Sequence, residues 1–149
     1  MMMDYENMFS IGQAITTTAN STNVIKIQKA GEFTWGGTTI TSRLPIPYKD
    51  LGKGEPIQIH VQVVADFASG TSLQVQLLTA DNADLDSNPV VLASTGAVPE
   101  AQLKAGYVFN LTHIPTGAEK EYIGLKYVAD GTFDAGKVDA GIVADRQTS

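Results

Sequence analysis

The sequence has the length of a single domain, 149 residues, and its composition excludes several kinds of chemistry. It contains no cysteine, which removes disulfides, thiolate metal sites and a cysteine nucleophile. Ten basic and sixteen acidic residues give a formal net charge of −6 without any basic run, so we expect no nucleic-acid partner.

The first twenty residues show neither a helical nor a strand period, and we interpret 1–20 as an extended N-terminal arm ahead of a single domain at 21–149. The first basic side chain is Lys26, so the positively charged start of a secretory signal is missing and nothing directs export. Residues 7–25 are uncharged but rich in polar side chains, which argues against a membrane span.

Several apolar side chains of the arm must be shielded from water. Phe9, Ile11 and Ile15 are our candidates for partner contacts there. A free arm would expose them to water. We therefore expect the arm to lie against the chain's own sandwich or against another subunit, with preference for the first. Its polar part, residues 13–23, is a hypothetical strand for addition to a partner's sheet.

Residues 29–56 are predicted to form a hairpin and loop insertion. In "FTWGGTTI", Gly36-Gly37 separates two β-prone triplets, the pattern of a projecting two-residue hairpin, because glycine adopts positive φ at little cost. The following "RLPIPYKDLGKGEP" is rich in proline and should run extended, covering a sheet edge or reaching a neighbour. Trp35, Ile46 and Tyr48 are the contact candidates of this insertion, although Trp35 has the alternative of folding back onto its own domain.

Alternation of apolar and polar residues predicts the strands of the domain. "IQIHVQV" (57–63) and "LQVQL" (73–77) each direct one apolar face inward, with a turn signal between them, and we expect the two strands to be neighbours in one sheet. The only helical signal is "VPEAQLKAG" (98–106), enough for one or two turns. The spacing predicts an all-β antiparallel sandwich or barrel, with further strands at 22–28, 89–94, 107–113, 121–128 and 137–145.

The densest group of carboxylates is Asp81, Asp84 and Asp86. The nearest match to a calcium loop fails, because Pro89 stands where the sharp turn needs glycine and Thr95 where a bidentate glutamate belongs. A looser cation site is the alternative. We interpret the stretch as a hairpin loop in which Asp and Asn bond to the local backbone.

No other constellation of residues supports chemistry. A metal site would need His60 and His113 together with a carboxylate, and the sequence has neither a G-x-S-x-G elbow nor a P-loop. We therefore predict that the protein is not an enzyme and uses no metal or cofactor.

Four segments together resemble the head cement proteins of tailed bacteriophages, the family that includes the jelly-roll cement protein of the Bordetella podophage. They are "QAITTTANSTNVIKI", "LGKGEPIQIHVQV", "VPEAQLKAGYVFNLTHIPTGAEKEYIGLKYV" and "GTFDAGKVDAGIVADRQ", and the similarity covers most of the chain. The departure is "KAGEFTWGGTTITSRLPIPYKD" (29–50), which looks like an insertion relative to that family.

The resemblance implies a jelly roll of about eight strands. It also implies a capsid decoration protein on the outer surface of the virion, made in the host cytoplasm, that clamps neighbouring major capsid proteins. Its implied partners are the phage major capsid protein and further copies of itself, as a homo-dimer or homo-trimer. The alternative function is a carbohydrate-binding β-sandwich, for which Trp35, Tyr48 and a cation at residues 81–86 would be the natural site.

Overall fold

The computed structural model describes the backbone of residues 3–26, 28–29, 32–35, 38–41, 46–47, 57–115 and 120–143. It describes the side chains of residues 5, 7–26, 57–115 and 120–143. This part of the chain consists of β-strands, connecting loops and one short 3-10 turn, Glu100–Gln102. The strands are β1 (Met3–Ala14), β2 (Ala19–Asn20), β3 (Ile25–Lys26), β4 (Gln28–Lys29), β5 (Glu32–Trp35), β6 (Thr38–Thr41), β7 (Ile46–Pro47), β8 (Ile57–Ala68), β9 (Ser72–Ala80), β10 (Val90–Ser94), β11 (Val98–Pro99), β12 (His113–Ile114), β13 (Tyr122–Asp130) and β14 (Ala135–Val143).

Two antiparallel sheets form the body of the protein. Sheet I has the strand order β1-β14-β8-β12. Sheet II has the order β10-β9-β13-β2, and in it β11 also pairs with β9 while β3 pairs with β13.

The pairing follows the folded ribbon of a jelly roll. β1 pairs with β14, β2 and β3 pair with β13, β8 pairs with the segment that ends in β12, and β9 pairs with β10. The first half of the chain is thus paired with the second half in reverse order. This pairing divides the eight strand positions of a jelly roll between the two sheets. The predicted all-β antiparallel jelly-roll sandwich is confirmed.

The inner faces of the two sheets enclose one apolar core, because each strand directs alternate side chains to the same face. The alternation predicted for β8 and β9 is confirmed, but the expectation that they are neighbours in one sheet is wrong, because β8 lies in sheet I and β9 in sheet II. The fully buried inward residues of β8 and β9 include Ile59, Val61, Val63, Leu73, Val75 and Leu77.

The N-terminal segment is an edge strand of sheet I. β1 pairs with β14 from Met3↔Val143 to Ala14↔Lys137, with three register shifts on the way. The segment is therefore extended and lies against its own sandwich, the preferred of the two alternatives. Each shift rotates the following side chains, so that the adjacent residues Phe9 and Ser10 are both buried. This is why the sequence of the segment shows no strand period.

The hairpin predicted in the insertion is confirmed at the level of the backbone. β5 pairs with β6 up to Trp35↔Thr38, so two residues, 36–37, separate the paired strands, and these two lie outside the described residues. β4 pairs with β7 outside this hairpin. The projection of the hairpin stays a prediction, and 42–45 and 48–56 lie outside the described residues.

The regular strand predicted at 107–113 is wrong. This segment follows β8 through hydrogen bonds such as Val63 N to Tyr107 O and Phe109 N to Val61 O, yet it forms only an isolated bridge and the short β12. Leu111 N donates to Phe109 O at 2.9 Å, a tight local turn that interrupts the ladder. Phe109 and Leu111 both reach the core, as alternate residues of a strand do.

A buried polar chain connects the two sheets near β1. The single hydroxyl proton of Ser10 is donated to Gln13 Oε1 at 2.6 Å, so the hydroxyl of Tyr127 donates to Ser10 Oγ at 2.8 Å. Gln13 Oε1 also accepts from Thr22 N, and Gln13 Nε2 donates to Asn20 O. These bonds attach β1 to β13 and to the connection that crosses between the sheets.

We expect Tyr127→Phe to lower the free energy of unfolding by about 1 kcal/mol at neutral pH, since one buried hydrogen bond is lost. Burial raises the pKa of Tyr127 above its ordinary value of 10.0. Below that ordinary value both states carry the proton. Above it only the unfolded state loses the proton, so the stability of the wild type falls as pH rises.

Urea denaturation from about pH 8 to about pH 11 checks this expectation, because Tyr127→Phe should show a smaller alkaline fall in stability than the wild type. Tyr5→Phe is the matched control, since Tyr5 is 77% exposed and should keep the fall. An unchanged alkaline slope in Tyr127→Phe would contradict the assignment.

Candidate partner-binding surfaces

Because neighbouring strands are antiparallel, the connections between them lie at two opposite ends of the sandwich. The turns at 15–18, 69–71 and 131–134 and the connection at 95–106 lie at one end. The other end, which we call the insertion end, carries the loop 81–89, the end of β12, the start of β13 and the two points, Lys26 and Ile57, where the insertion leaves and rejoins the sandwich. The insertion and the aspartate loop therefore start from the same end.

The structure separates the contact candidates predicted from the sequence. Phe9 and Ile15 are fully buried in the core, so a partner cannot touch their side chains, and we withdraw both. The bulges of β1 turn them inward, which a sequence without strand period does not reveal. Ile11 is 49% exposed and remains a candidate.

The other candidates belong to the insertion. Trp35 pairs with Thr38 in the β5–β6 hairpin and Ile46 pairs with Lys29 in β7 and β4, and their side chains lie outside the described residues. Tyr48 lies wholly outside them. All three stay predictions.

The hypothesis that residues 13–23 add as a strand to a partner's sheet does not fit the structure. Ile15 N donates to Gly136 O, Ser21 N to Leu125 O and Asn23 N to Phe9 O. β2, in the middle of this stretch, pairs with β13. Much of its backbone is already engaged within the chain's own fold.

The start of the insertion is anchored by charge. Lys26 Nζ lies 2.7 Å from Glu121 Oε1 and 5.2 Å from the centre of the Tyr122 ring. The hydrogen bond to Glu121 raises the pKa of Lys26 above its usual value. Glu121 directly precedes β13 and Tyr122 is its first residue, so the point where the chain leaves the sandwich is attached to sheet II.

The aspartate loop is a self-bonded turn, as the sequence predicts. Asn82 Oδ1 accepts from the backbone N–H groups of Asp86 and Ser87, both at 3.1 Å, and Asn82 Nδ2 donates to Asp86 Oδ1. Asp81 accepts from Asn88 Nδ2 at 2.9 Å and lies 3.3 Å from Lys120 Nζ. The Asn88 amide, followed by the Lys120 ammonium, holds the pKa of Asp81 below its usual value.

The same loop covers part of the outer face of sheet II. Leu85 adopts a positive φ of 58° and is 4% exposed, in a small apolar cluster with Leu78 and Ala80. A side chain at Gly124 would collide with Leu85 Cδ1, so glycine at that position makes room for it. The loop is held by Leu85 and by its own polar bonds together.

We expect Asn82→Ala to lower the free energy of unfolding by about 1–2 kcal/mol, because two backbone N–H groups lose their acceptor. Asp84→Ala is the control: its side chain makes no hydrogen bond or ion pair to the described residues, and the change should stay within about 0.5 kcal/mol. Thermal unfolding of both variants checks this. Equal melting temperatures for the two would contradict the role given to Asn82.

The histidines make separate local contacts. His60 Nε2 lies 3.1 Å from Gln62 Oε1, and His113 Nδ1 lies 3.0 Å from Thr112 Oγ1. Although the alternation of β8 turns His60 away from the core, the residue is 5% exposed and its Nδ1 has no hydrogen-bond partner among the residues that the structure describes. Within the described ranges, no three His, Asp or Glu side chains are grouped as metal ligands. In the same ranges no helix is long and apolar enough to cross a membrane.

Comparison with known proteins assigns this chain to a family. The Bbp16 family matches residues 9–142, nearly the whole chain. The chain belongs to the Bbp16 family. The family's name points to a Bordetella phage protein, which agrees with the resemblance seen in the sequence. No curated protein matches the chain.

The Bbp16 match begins within β1 and ends within β14. It therefore runs from one strand of the β1–β14 pair to the other, and all the strands between them fall inside it. The Bbp16 assignment thus concerns the sandwich that carries the candidate surfaces.

One exposed surface of this Bbp16 chain was missed by the sequence analysis. β10 is an edge strand of sheet II, and its first two residues, Val90 and Val91, are 46% and 51% exposed. The signal was present in the sequence, because residues 87–99 contain no charged side chain around the pair of valines. The sequence predicted the strand but did not show that it forms an edge.

Proposed function

We propose that this protein is a capsid cement protein, a non-enzymatic decoration protein that binds the outside of a phage head and stabilises junctions between major capsid proteins. The observation that carries the proposal is membership of a family named for a phage protein. The jelly-roll sandwich supports it, because that fold is the one implied by the resemblance to head cement proteins.

A rigid sandwich suits such a role. A head filled with DNA pushes outward on every seam between its subunits, and a clip across a seam adds contact area that must be broken before the seam opens. A standard protein interface involves about 800 Å² on each partner. The continuous core between sheets I and II transmits force from one side of the clip to the other without local unfolding.

The proposed partners are the major capsid protein and further copies of the chain. In a homo-dimer or homo-trimer, binding of one copy raises the local concentration of the next, so weak individual contacts add up to firm attachment. Ile11 and the insertion residues Trp35, Ile46 and Tyr48 are the proposed contacts. The proposed location is the outer surface of the virion.

The test is to mix the purified protein with expanded heads of its own phage that lack it. Sedimentation of the heads should carry the protein down in a fixed ratio to the major capsid protein, and the loaded heads should resist higher temperature and osmotic shock. Light scattering on the free protein distinguishes dimer from trimer. A protein that stays in the supernatant at saturating concentration would contradict the proposal.

A further inference from the structure

The start of β10 exposes apolar side chains on both faces of sheet II. Val90 lies opposite Thr79, a buried residue of the inward face, and Val91 lies opposite Leu78, which belongs to the outer cluster. Directly opposite residues share a face of the sheet, so the two valines point to opposite sides. An added strand next to β10 would cover both at once.

The other sheet edges are less suited to accept a strand. β1 is interrupted by three register shifts and by Gly12, which has a φ of 51°. The segment before β12 contains only one isolated bridge, and β2 and β3 are two residues each. Bulges and short strands protect sheet edges against pairing. β10 has a single register shift, after Val91, and no lysine.

The charged side chains near the start of β10 are mostly acidic. Asp81, Asp84 and Asp86 precede β10, and no Lys or Arg occurs from there to residue 103. Lys120 reaches Asp81 at 3.3 Å, which leaves Asp84 and Asp86 without a cation in the described part of the chain. Across 57–115 the sequence has five acidic residues, Asp66, Asp81, Asp84, Asp86 and Glu100, against one basic residue, Lys104.

We propose that the β10 edge accepts an extended, basic segment of the capsid subunit as an added strand. Main-chain hydrogen bonds to β10 and cover of Val90 and Val91 hold the segment, and its Lys or Arg residues lie beside the aspartate loop. The proposal rests on the proposed function and names the chemistry of the partner. A second copy of β10 fits less well, because the uncharged stretch 87–99 offers the aspartates no cation.

The experiment compares variants in the head-binding assay. Val91→Lys places a charge where the added strand packs, and we expect the dissociation constant for heads to rise at least about tenfold. Val108→Lys is the matched control, because Val108 is also exposed on an edge segment but lies on sheet I, and it should change binding less than about twofold. Asp84→Asn should weaken binding about threefold at low salt and have little effect at high salt.

Hydrogen exchange on the wild type gives a readout that needs no variant to fold. Amides of residues 90–94 should exchange more slowly when heads are bound, while those of residues 107–114 on sheet I should not change. If the wild type binds heads but Val91→Lys binds equally well, or 90–94 show no added protection, the inference is overturned and the cement function stands. If Val91→Lys converts an oligomer into a monomer, the edge joins copies of the chain and the inference is also overturned. If the wild type binds no heads, the proposed function fails and the inference falls with it.

Discussion

Phe67→Ala is expected to lower the free energy of unfolding by about 3–5 kcal/mol, because the substitution leaves a large cavity in the core. Phe67 is fully buried, and its ring meets that of Phe133 edge to face with centroids 4.9 Å apart. The pair closes the sandwich at the end opposite the insertion, where β8 turns into β9. A domain of this size has about 5–15 kcal/mol of stability, so the variant should be only marginally folded.

Denaturant unfolding at one fixed protein concentration measures this loss, since oligomer formation would otherwise change the apparent stability. Val64→Ala is the matched control, because Val64 lies in the same strand but is 39% exposed. It should cost less than about 1 kcal/mol. A loss of similar size in both variants would show that Phe67 is not part of a tightly packed core.

Gly136→Ala is expected to lower the free energy of unfolding by about 3 kcal/mol. Gly136 has a φ of 137°, and a Cβ there would collide with the ring of Phe67. The cost therefore combines backbone strain with forced displacement of a core side chain. Thermal unfolding of the variant gives the measurement.

Gly96→Ala separates these two contributions. Gly96 has a φ of 74°, but a Cβ there would meet no atom within 4 Å, so only the strain of about 1 kcal/mol remains. Adding Phe67→Leu to Gly136→Ala should restore part of the packing, because the ring that clashes is gone. A Gly136→Ala variant as stable as Gly96→Ala would exclude the clash with Phe67.

Both substitutions bear on the proposed function as well as on stability. The Phe67–Phe133 pair is far from the insertion end, since β8 starts at that end and Phe67 lies near its other terminus. A variant that melts earlier but still binds heads below its melting temperature would place the contact surface away from these rings. Val91→Lys should behave in the opposite way, with loss of binding and little loss of stability.

The irregular segments show why part of the fold was not predictable. Alternation predicted β8 and β9 and their inward residues, because both strands keep one face on the core. β1 escaped detection because its bulges place Phe9 and Ser10 on the same side. The segment 107–113 has the composition of a strand, yet the turn between Phe109 and Leu111 interrupts its pairing. Local sequence does not specify where a strand bulges, since bulges depend on the partner strand.

The candidate surfaces were predictable to a smaller extent. The pairing of β5 with β6 and the self-bonded aspartate loop follow from local residue chemistry, and both are confirmed. The withdrawal of Phe9 and Ile15 and the exposure of Val90 and Val91 depend on which strands are neighbours. Apolar side chains look alike in a sequence whether they fill a core or cover an edge.

The amino-acid sequence by itself determined the all-β class, the inward faces of the regular strands, the turn chemistry of the loops and the likeness to a phage family. Each of these depends on residues close together in the chain or on the pattern as a whole. Only the tertiary structure decided that β1 is a sheet member, that the insertion and the aspartate loop share one end, and that β10 is an open edge. Those properties come from pairing between strands far apart in the sequence, which local periodicity does not encode.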